Sequence, residues 1–394
     1  MDNRNTTKFI GLLGVLVLLT IMAVSILHVN EYEFIELRFP WLTDFEISLF
    51  DTILYISYLI VGITVGILSD HVGKRKIFVI IGSAWGMLFF WLMTITLNYP
   101  LLLVFRFCQG AFTVFAWQII MTLLLDVSSS KNRGRNMGFF GIFLTLAMGI
   151  GPVVGGIIAE QGVFMPYYTS IILSGIVVAI SLSILREPTT IKKNPSFRQN
   201  IGAIRRYPKL IIPGIFNFID RLHMGFIIFI VPFFLQETLG LAESLRGMVL
   251  GLYALPLIIL SYSMGKLSDR YGRYKQLIIG SLAFGILLSV IGELGAYGLH
   301  ILIILFVVLG TFASITTPPA MALVGDIVKK ENIAIGMGAF NFLGNLGILI
   351  GPAIAGLLMP NYFLAFLIAG SIELISLGIN IILMWHFKTK YFFN

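Results

Sequence analysis

The chain contains a single cysteine, Cys108, so no intrachain disulfide can form and no Cys/His cluster offers a metal site. Charge is scarce as well. Asp, Glu, Lys and Arg make up 12% of the 394 residues, against about 25% in an ordinary soluble protein. No nucleotide-binding motif is present, which excludes ATP hydrolysis as the drive, and no nucleophile–base or metal constellation points to an enzyme. No small-residue cleavage pattern follows the first apolar stretch, so that stretch is expected to stay. What the chain has instead is apolar sequence: hydrophobic residues are 58% of it and the mean hydropathy is +0.95.

Apolar runs of about 20 residues are long enough to cross a bilayer. Twelve such spans are expected, at 9–28, 50–69, 77–97, 101–125, 135–159, 165–185, 210–235, 246–267, 276–296, 300–324, 334–358 and 362–386. The predicted fold is therefore an all-α integral membrane protein. Orientation follows from Lys and Arg placement. With both termini cytoplasmic, the inner segments collect 23 of the 27 basic residues; Arg38 and Arg246 fall outside, and Arg106 and Arg221 lie within spans. The net charge of +8 then reflects topology and contact with anionic lipid headgroups. No nucleic-acid partner is expected.

A pattern recurs 199 residues apart: Gly66-Ile-Leu-Ser-Asp70-His-Val-Gly73-Lys74-Arg75, then Gly265-Lys-Leu-Ser-Asp269-Arg-Tyr-Gly272-Arg273. At a spacing of 200, Asp126 answers Asp326, Gly138 answers Gly338, and Gly151-Pro152 answers Gly351-Pro352. Halves that correspond this closely predict two pseudo-symmetric six-helix bundles, 1–187 and 210–394, joined by a basic linker at 188–209. Residues 186–209 carry seven basic residues against one acid, Glu187. Phe197, Ile201 and Ile204 recur there at helical spacing. The segment reads either as a solvated connector or as a short amphipathic helix on the inner leaflet. The first outer loop, 29–48, is acidic (Glu31, Glu33, Glu36, Asp44, Glu46) and is expected to be solvated.

The repeated Gly-x-Leu-Ser-Asp-x-x-Gly-[Lys/Arg] element resembles the loop signature of the major facilitator superfamily. Gly73 and Gly272 suit a tight turn, Asp70 and Asp269 can meet a helix N-terminus or an arginine, and Lys74, Arg75 and Arg273 anchor the loops. The resemblance implies that these residues latch the bundles in one state, with Asp126, Arg133 and Asp326 supporting the gate. Arg106-Phe-Cys-Gln109-Gly110 matches the superfamily's Arg-x-x-Gln-Gly pattern. The fifth span, with Gly138, Ala147 and Gly151-Pro152-x-x-Gly155-Gly156, is similar to a glycine-proline motif of the twelve-helix drug:proton antiporter branch. A parallel version with Gly351 and Pro352 stands in the eleventh span. The same glycines also fit ordinary close packing of helices.

Charges within spans need a partner, an aqueous cavity or a function. Arg106 shares a helix face with Gly110, Thr113 and Trp117 and is flanked by Gln109. That face suits a cavity lining, which is the favoured reading; the alternative is a structural arginine held by carbonyls. In the seventh span, Asn217, Asp220, Arg221 and Met224 form one stripe. Asp220 lies about 15 Å from the inner end, where it can take up a proton or form a static buried pair with an arginine. His223 is offset from the stripe. Glu373 reads as a structural contact or a partner of Arg221, and Asp51 and Glu293 as interfacial carboxylates near the outer ends of their helices. Asn341 and Asn345, one turn apart, can bond a substrate or another helix. The first span carries no acid, which puts in doubt the proton route of antiporters that use a carboxylate there.

These readings predict a plasma-membrane secondary transporter working as a monomer by alternating access, without a cofactor, on a small-molecule substrate. The resemblance implies proton-driven export of an amphipathic or hydrophobic compound, with Tyr55, Tyr58, Trp117 and Phe226 lining the cavity. Uptake of an organic anion or sugar, and a non-transporting sensor or scaffold, are the alternatives.

Overall fold

The computed structural model describes residues 3–128, 132–187, 197–329 and 332–387. Fourteen α-helices are found among them, and twelve are long and apolar enough to span a membrane. The first seven are α1 (Asn3–Ser25), α2 (Glu31–Glu36), α3 (Asp44–Val72), α4 (Lys76–Ile95), α5 (Tyr99–Val127), α6 (Arg133–Ala159) and α7 (Met165–Ser183). The others are α8 (Phe197–Arg206), α9 (Ile211–Leu239), α10 (Glu243–Tyr271), α11 (Arg273–Leu294), α12 (Leu299–Ile327), α13 (Ile333–Leu358) and α14 (Tyr362–His386). The twelve expected spans are all present; α2 and α8 are the short additions.

Helix starts explain where the spans differ from their apolar runs. α3 begins six residues before its run, because Thr43 and Glu46 cap it reciprocally. The Thr43 N–H donates to Glu46 Oε2 at 2.8 Å, and the Glu46 N–H donates to Thr43 Oγ1 at 3.3 Å. The tight connections before α5 and α14 close on asparagine caps: Asn98 accepts from the Leu101 N–H and Asn361 from the Leu364 N–H.

By its contacts the chain forms two compact units. Unit 1 comprises Met1–Leu42, Leu49–Asn194 and Ala242–Gly251; unit 2 comprises Thr43–Ser48, Pro195–Leu241 and Leu252–Asn394. The core of unit 1 is built from Leu13, Leu16 and Val17 of α1, Val79 of α4, Ile119 and Leu123 of α5, Phe140 of α6 and Val177 of α7. In unit 2, Ile212 and Phe216 of α9 pack with Leu277 of α11, Leu323 of α12, Phe340 of α13 and Met384 of α14. The outward faces keep large apolar groups exposed, among them Trp85, Trp91, Ile259 and Trp385. Such surface belongs in lipid. On α8, Ala203 is buried and Ile204 packs on the unit 2 core, while Arg205 and Arg206 are exposed. The side chains of Phe197, Arg198 and Ile201 lie outside the described residues.

Glycine-proline segments set the closest helix contacts. α6 approaches α1 through Gly151, where a Cβ would meet Ser25, and Gly155, where it would meet the Ile26 backbone. The Ser25 hydroxyl donates to the Ala147 carbonyl at 2.8 Å. In unit 2, Gly347 and Gly351 of α13 meet the backbone of α9 at Phe218 and Leu222. The pattern extends to helix starts: Gly156 lies against Glu243 and Ser244 in unit 1, and Gly356 against Ser48 in unit 2.

Candidate functional site

Unit 1 holds a buried ionic cluster two turns inside α5. Arg106, fully buried, pairs through Nη2 with Glu31 and with Asp51 Oδ1 at 3.1 Å. Its guanidinium lies 4.3 Å from the Phe50 ring centroid. Nη1 donates to Gln109 Oε1 at 3.3 Å, and Gln109 Nε2 donates to Thr113 Oγ1 at 2.8 Å. The Trp117 indole N–H, one turn further on, is buried without a hydrogen-bond partner among the described residues. His28 completes the cluster, with Nδ1 3.5 Å from Glu31 Oε1 and 3.8 Å from Asp51 Oδ1. Burial pushes the Glu31 carboxyl up, but Arg106 and His28 outweigh it and hold Glu31 down to about 2.

This arrangement corrects four expectations. Arg106 is held by carboxylates, not carbonyls. Glu31 belongs to a helix and is 4% exposed, so the loop it sits in is not uniformly solvated. Asp51 is 1% exposed, unlike Glu293, which is exposed as an interfacial acid should be. Finally, a histidine and two acids do converge: the ligand atoms of His28, Glu31 and Asp51 lie within 4.8 Å of one another. Arg106 already sits on the same carboxylate oxygens and supplies the positive charge a cation would bring.

The two basic residues expected outside are both tied down. Arg38 Nη1 donates to the Met93 and Thr96 carbonyls at 2.7 and 3.1 Å, and its guanidinium stacks 3.7 Å from the Phe34 centroid. Arg246 is 2% exposed and pairs with Glu33 at 2.5 Å and Glu243 at 3.2 Å, all within unit 1.

The repeated loops form related networks. Gly73 and Gly272 have φ of 69° and 97°, a backbone only glycine takes readily. Arg75 is fully buried and pairs with Asp70 at 2.6 Å and Asp126 at 3.1 Å, and donates to Ser69 Oγ at 2.5 Å. Glu187 accepts from the Arg75 and Lys76 N–H groups at the start of α4, where the helix dipole favours an anion. Lys74 is exposed, and Gly66 is buried within α3. In the second repeat, Arg273 pairs with Asp326 and, at 3.2 Å, with Asp269, and a Cβ at Gly265 would meet Pro318 alone among the described residues. Asp126 is thus the partner of Arg75; the Arg133 side chain lies outside the described residues.

In unit 2, α9 presents Asn217 and Asp220 to a small recess lined also by Thr316, Thr317 and Ala320 of α12 and Phe340 of α13. Thr317 Oγ1 donates to Asp220 Oδ2 at 3.0 Å, and Asn217 Nδ2 donates to the Phe340 carbonyl at 2.7 Å. Arg221 makes no ion pair among the described residues, and its Nη1 meets Met224 Sδ at 3.8 Å. Asn341 and Asn345 are exposed on α13 and do not line the recess. Phe226 is fully buried against Phe366 and belongs to the core. Glu373 turns from Arg221 to His223, with Nδ1 to Oε2 at 3.1 Å, and to Ser281. His223 is fully buried, a placement its offset from the stripe did not indicate.

The helices and the doubled loop networks define a multi-pass membrane protein made of two related halves. The chain belongs to the Major Facilitator Superfamily, whose sequence profile matches residues 6–219 and again 214–391. It is a transporter, not an enzyme. The bacillibactin exporter of Bacillus subtilis (strain 168) is 24% identical over 85% of this chain and 86% of its own length. Multidrug resistance protein 2 of the same organism is 22% identical over 83% of each. Among solved structures, the nucleoside transporter NupG superposes with a TM-score of 0.79 over 95% of this chain and 98% of its own, at 14% identity. A bacterial homologue of the human lysosomal transporter Spinster gives 0.79 at 12% identity, over 95% and 96%.

Proposed function

We propose that this transporter works by alternating access in the plasma membrane, with both termini cytoplasmic, and exports an amphipathic or hydrophobic small molecule in exchange for entering protons. The observation that carries the reading is Asp220, an acid deep in α9 that lines a small recess and accepts from Thr317, with no ion pair among the described residues. A lone carboxylate inside a span is a natural proton carrier. Two of the relatives named above, an exporter and a multidrug resistance protein, support the direction. Arg106 with Gln109 and Thr113, and Asn217 with Arg221, are assigned to substrate and proton handling in their respective units; Asn341 and Asn345 are assigned to substrate contact. The Arg75 and Arg273 networks are assigned to gating, with Asp126, Asp326 and Arg133 in support. The protein is assigned as a monomer in contact with lipid, needing no cofactor or metal.

Everted vesicles supplied externally with an amphipathic dye test this. Accumulation that collapses on adding a protonophore, and is lost in Asp220→Asn, is expected; accumulation unchanged by both overturns the reading. A second reading, uptake of an organic anion, is favoured by Arg221, a cation in α9 that makes no ion pair among the described residues. Gradient-independent entry of an anion into right-side-out cells, lost in Arg221→Gln, would establish it instead.

A further inference from the structure

The four charged and titratable residues of the Arg106 cluster do not balance. With both carboxyls ionised and His28 neutral, Glu31, Asp51 and Arg106 would sum to a net −1. Side-chain exposures are 8% for His28, 5% for Glu31, 1% for Asp51 and 0% for Arg106, too little for water to screen an uncompensated charge. Two polar atoms there are without a hydrogen-bond partner among the described residues, Arg106 Nε and His28 Nδ1, and of these His28 Nδ1 points at the excess. His28 Nδ1 is buried and unbonded, facing the same Glu31 Oε1 and Asp51 Oδ1 that Arg106 Nη2 engages. Added there, a single proton brings the cluster to neutrality and sits between an imidazole nitrogen and two carboxylate oxygens.

We propose that His28, Glu31, Asp51 and Arg106 form a proton-binding site in unit 1, with His28 as the group that takes up and releases the proton. Nδ1 accepts H⁺ from water to give an imidazolium, which Glu31 and Asp51 hold; loss of H⁺ to water restores the neutral ring. The other titratable and charged groups facing the cluster are Tyr55 and Tyr58 of α3, Tyr167 of α7 and Arg38. Burial alone would push the His28 imidazole down, but Glu31 and Asp51 more than reverse this and leave it raised. Glu31 stays ionised, so the exchangeable proton lies between His28 Nδ1 and the facing Asp51 carboxylate.

The site is separate from Asp220, which lies in unit 2. Its role in transport rests on the proton-coupled reading; its existence does not. The test uses the purified full-length chain without substrate, with ring-¹⁵N-labelled histidines followed by NMR against pH. One of the five imidazoles is expected to titrate above about 6.5 and to be missing from His28→Asn. In Asp51→Asn, which keeps His28, the same midpoint is expected to fall by about one pH unit or more, a tenfold weaker proton affinity. A His28 ring that stays neutral down to pH 5, or that titrates at the free value and ignores Asp51→Asn, overturns the site. A titration that changes on adding a chelator overturns it in favour of a bound metal. In everted vesicles, His28→Asn is expected to lose proton-driven dye accumulation at least tenfold while keeping dye counterflow without a gradient; equal loss of both overturns a coupling role. If the wild type moves no amphipathic dye under a proton gradient, the export reading fails while the imidazole titration still decides the site.

Discussion

At Arg106 one side chain joins two buried carboxylates through a single nitrogen. Removing it leaves both acids in a low-dielectric site, where breaking such a pair costs about 3–5 kcal/mol. Arg106→Met is therefore expected to lower the melting temperature of purified protein sharply. Arg106→Met combined with Glu31→Gln and Asp51→Asn should recover most of the loss, because no uncompensated charge remains. The same residues set a pH profile. The folded value of Glu31, about 2, lies below its unfolded value, so its contribution is present above about pH 4.5 and fades as pH falls towards 2. His28 is raised in the fold, so its contribution is complete below about pH 6.5 and is lost as pH rises through the folded value. The stability difference between wild type and His28→Asn should thus be largest near pH 5–6 and shrink at higher pH, measured by melting curves of both proteins across pH 5–9.

Among the elements, the glycines of α6 separate contact from open space. A Cβ on Gly155 would press into the Ile26 backbone, which cannot swing aside as a side chain can, whereas nothing lies within 4 Å of Gly138. Gly155→Ala is expected to cost about 1–3 kcal/mol, and Gly138→Ala to be neutral or to stabilise by up to about 1 kcal/mol. Melting temperatures of the two variants check the contrast. The spans were legible because a run of about 20 apolar residues needs no periodicity to be recognised. The turns at Gly73 and Gly272 were legible because a repeat with glycine in register marks a backbone requirement. The Arg106 partners were not. The acids Asp44 and Glu46 hid the true start of α3, so Asp51 read as lying at a helix end when it stands seven residues inside, the same depth as Arg106 in α5. Glu31 was hidden by its neighbours, since one buried acid among five in a loop looks like the rest. His28 gave no signal in the sequence.

For the whole molecule, the duplication is closer in sequence than in energetics. Arg75 is fully buried with Asp70 at 13% side-chain exposure and Asp126 at 1%, whereas Arg273 is 21% exposed and its partners 64% and 51%. A buried network loses several kcal/mol when its arginine goes, while exposed pairs contribute about 0–1 kcal/mol. Arg75→Ala is therefore expected to reduce thermal stability by several times the effect of Arg273→Ala, and equal losses would contradict the asymmetry. The covalent repeats and the compact units also part company at two helix starts. Residues 43–48 of the first repeat pack in unit 2, where Ser48 fills the space that Gly356 leaves open, and residues 242–251 of the second pack in unit 1 against Gly156. A chain severed at residue 190 would thus yield fragments that each keep a piece the other needs, like two books bound with one page exchanged. Co-expressed fragments should be recovered together on an affinity tag carried by either, and each alone should be lost to aggregation.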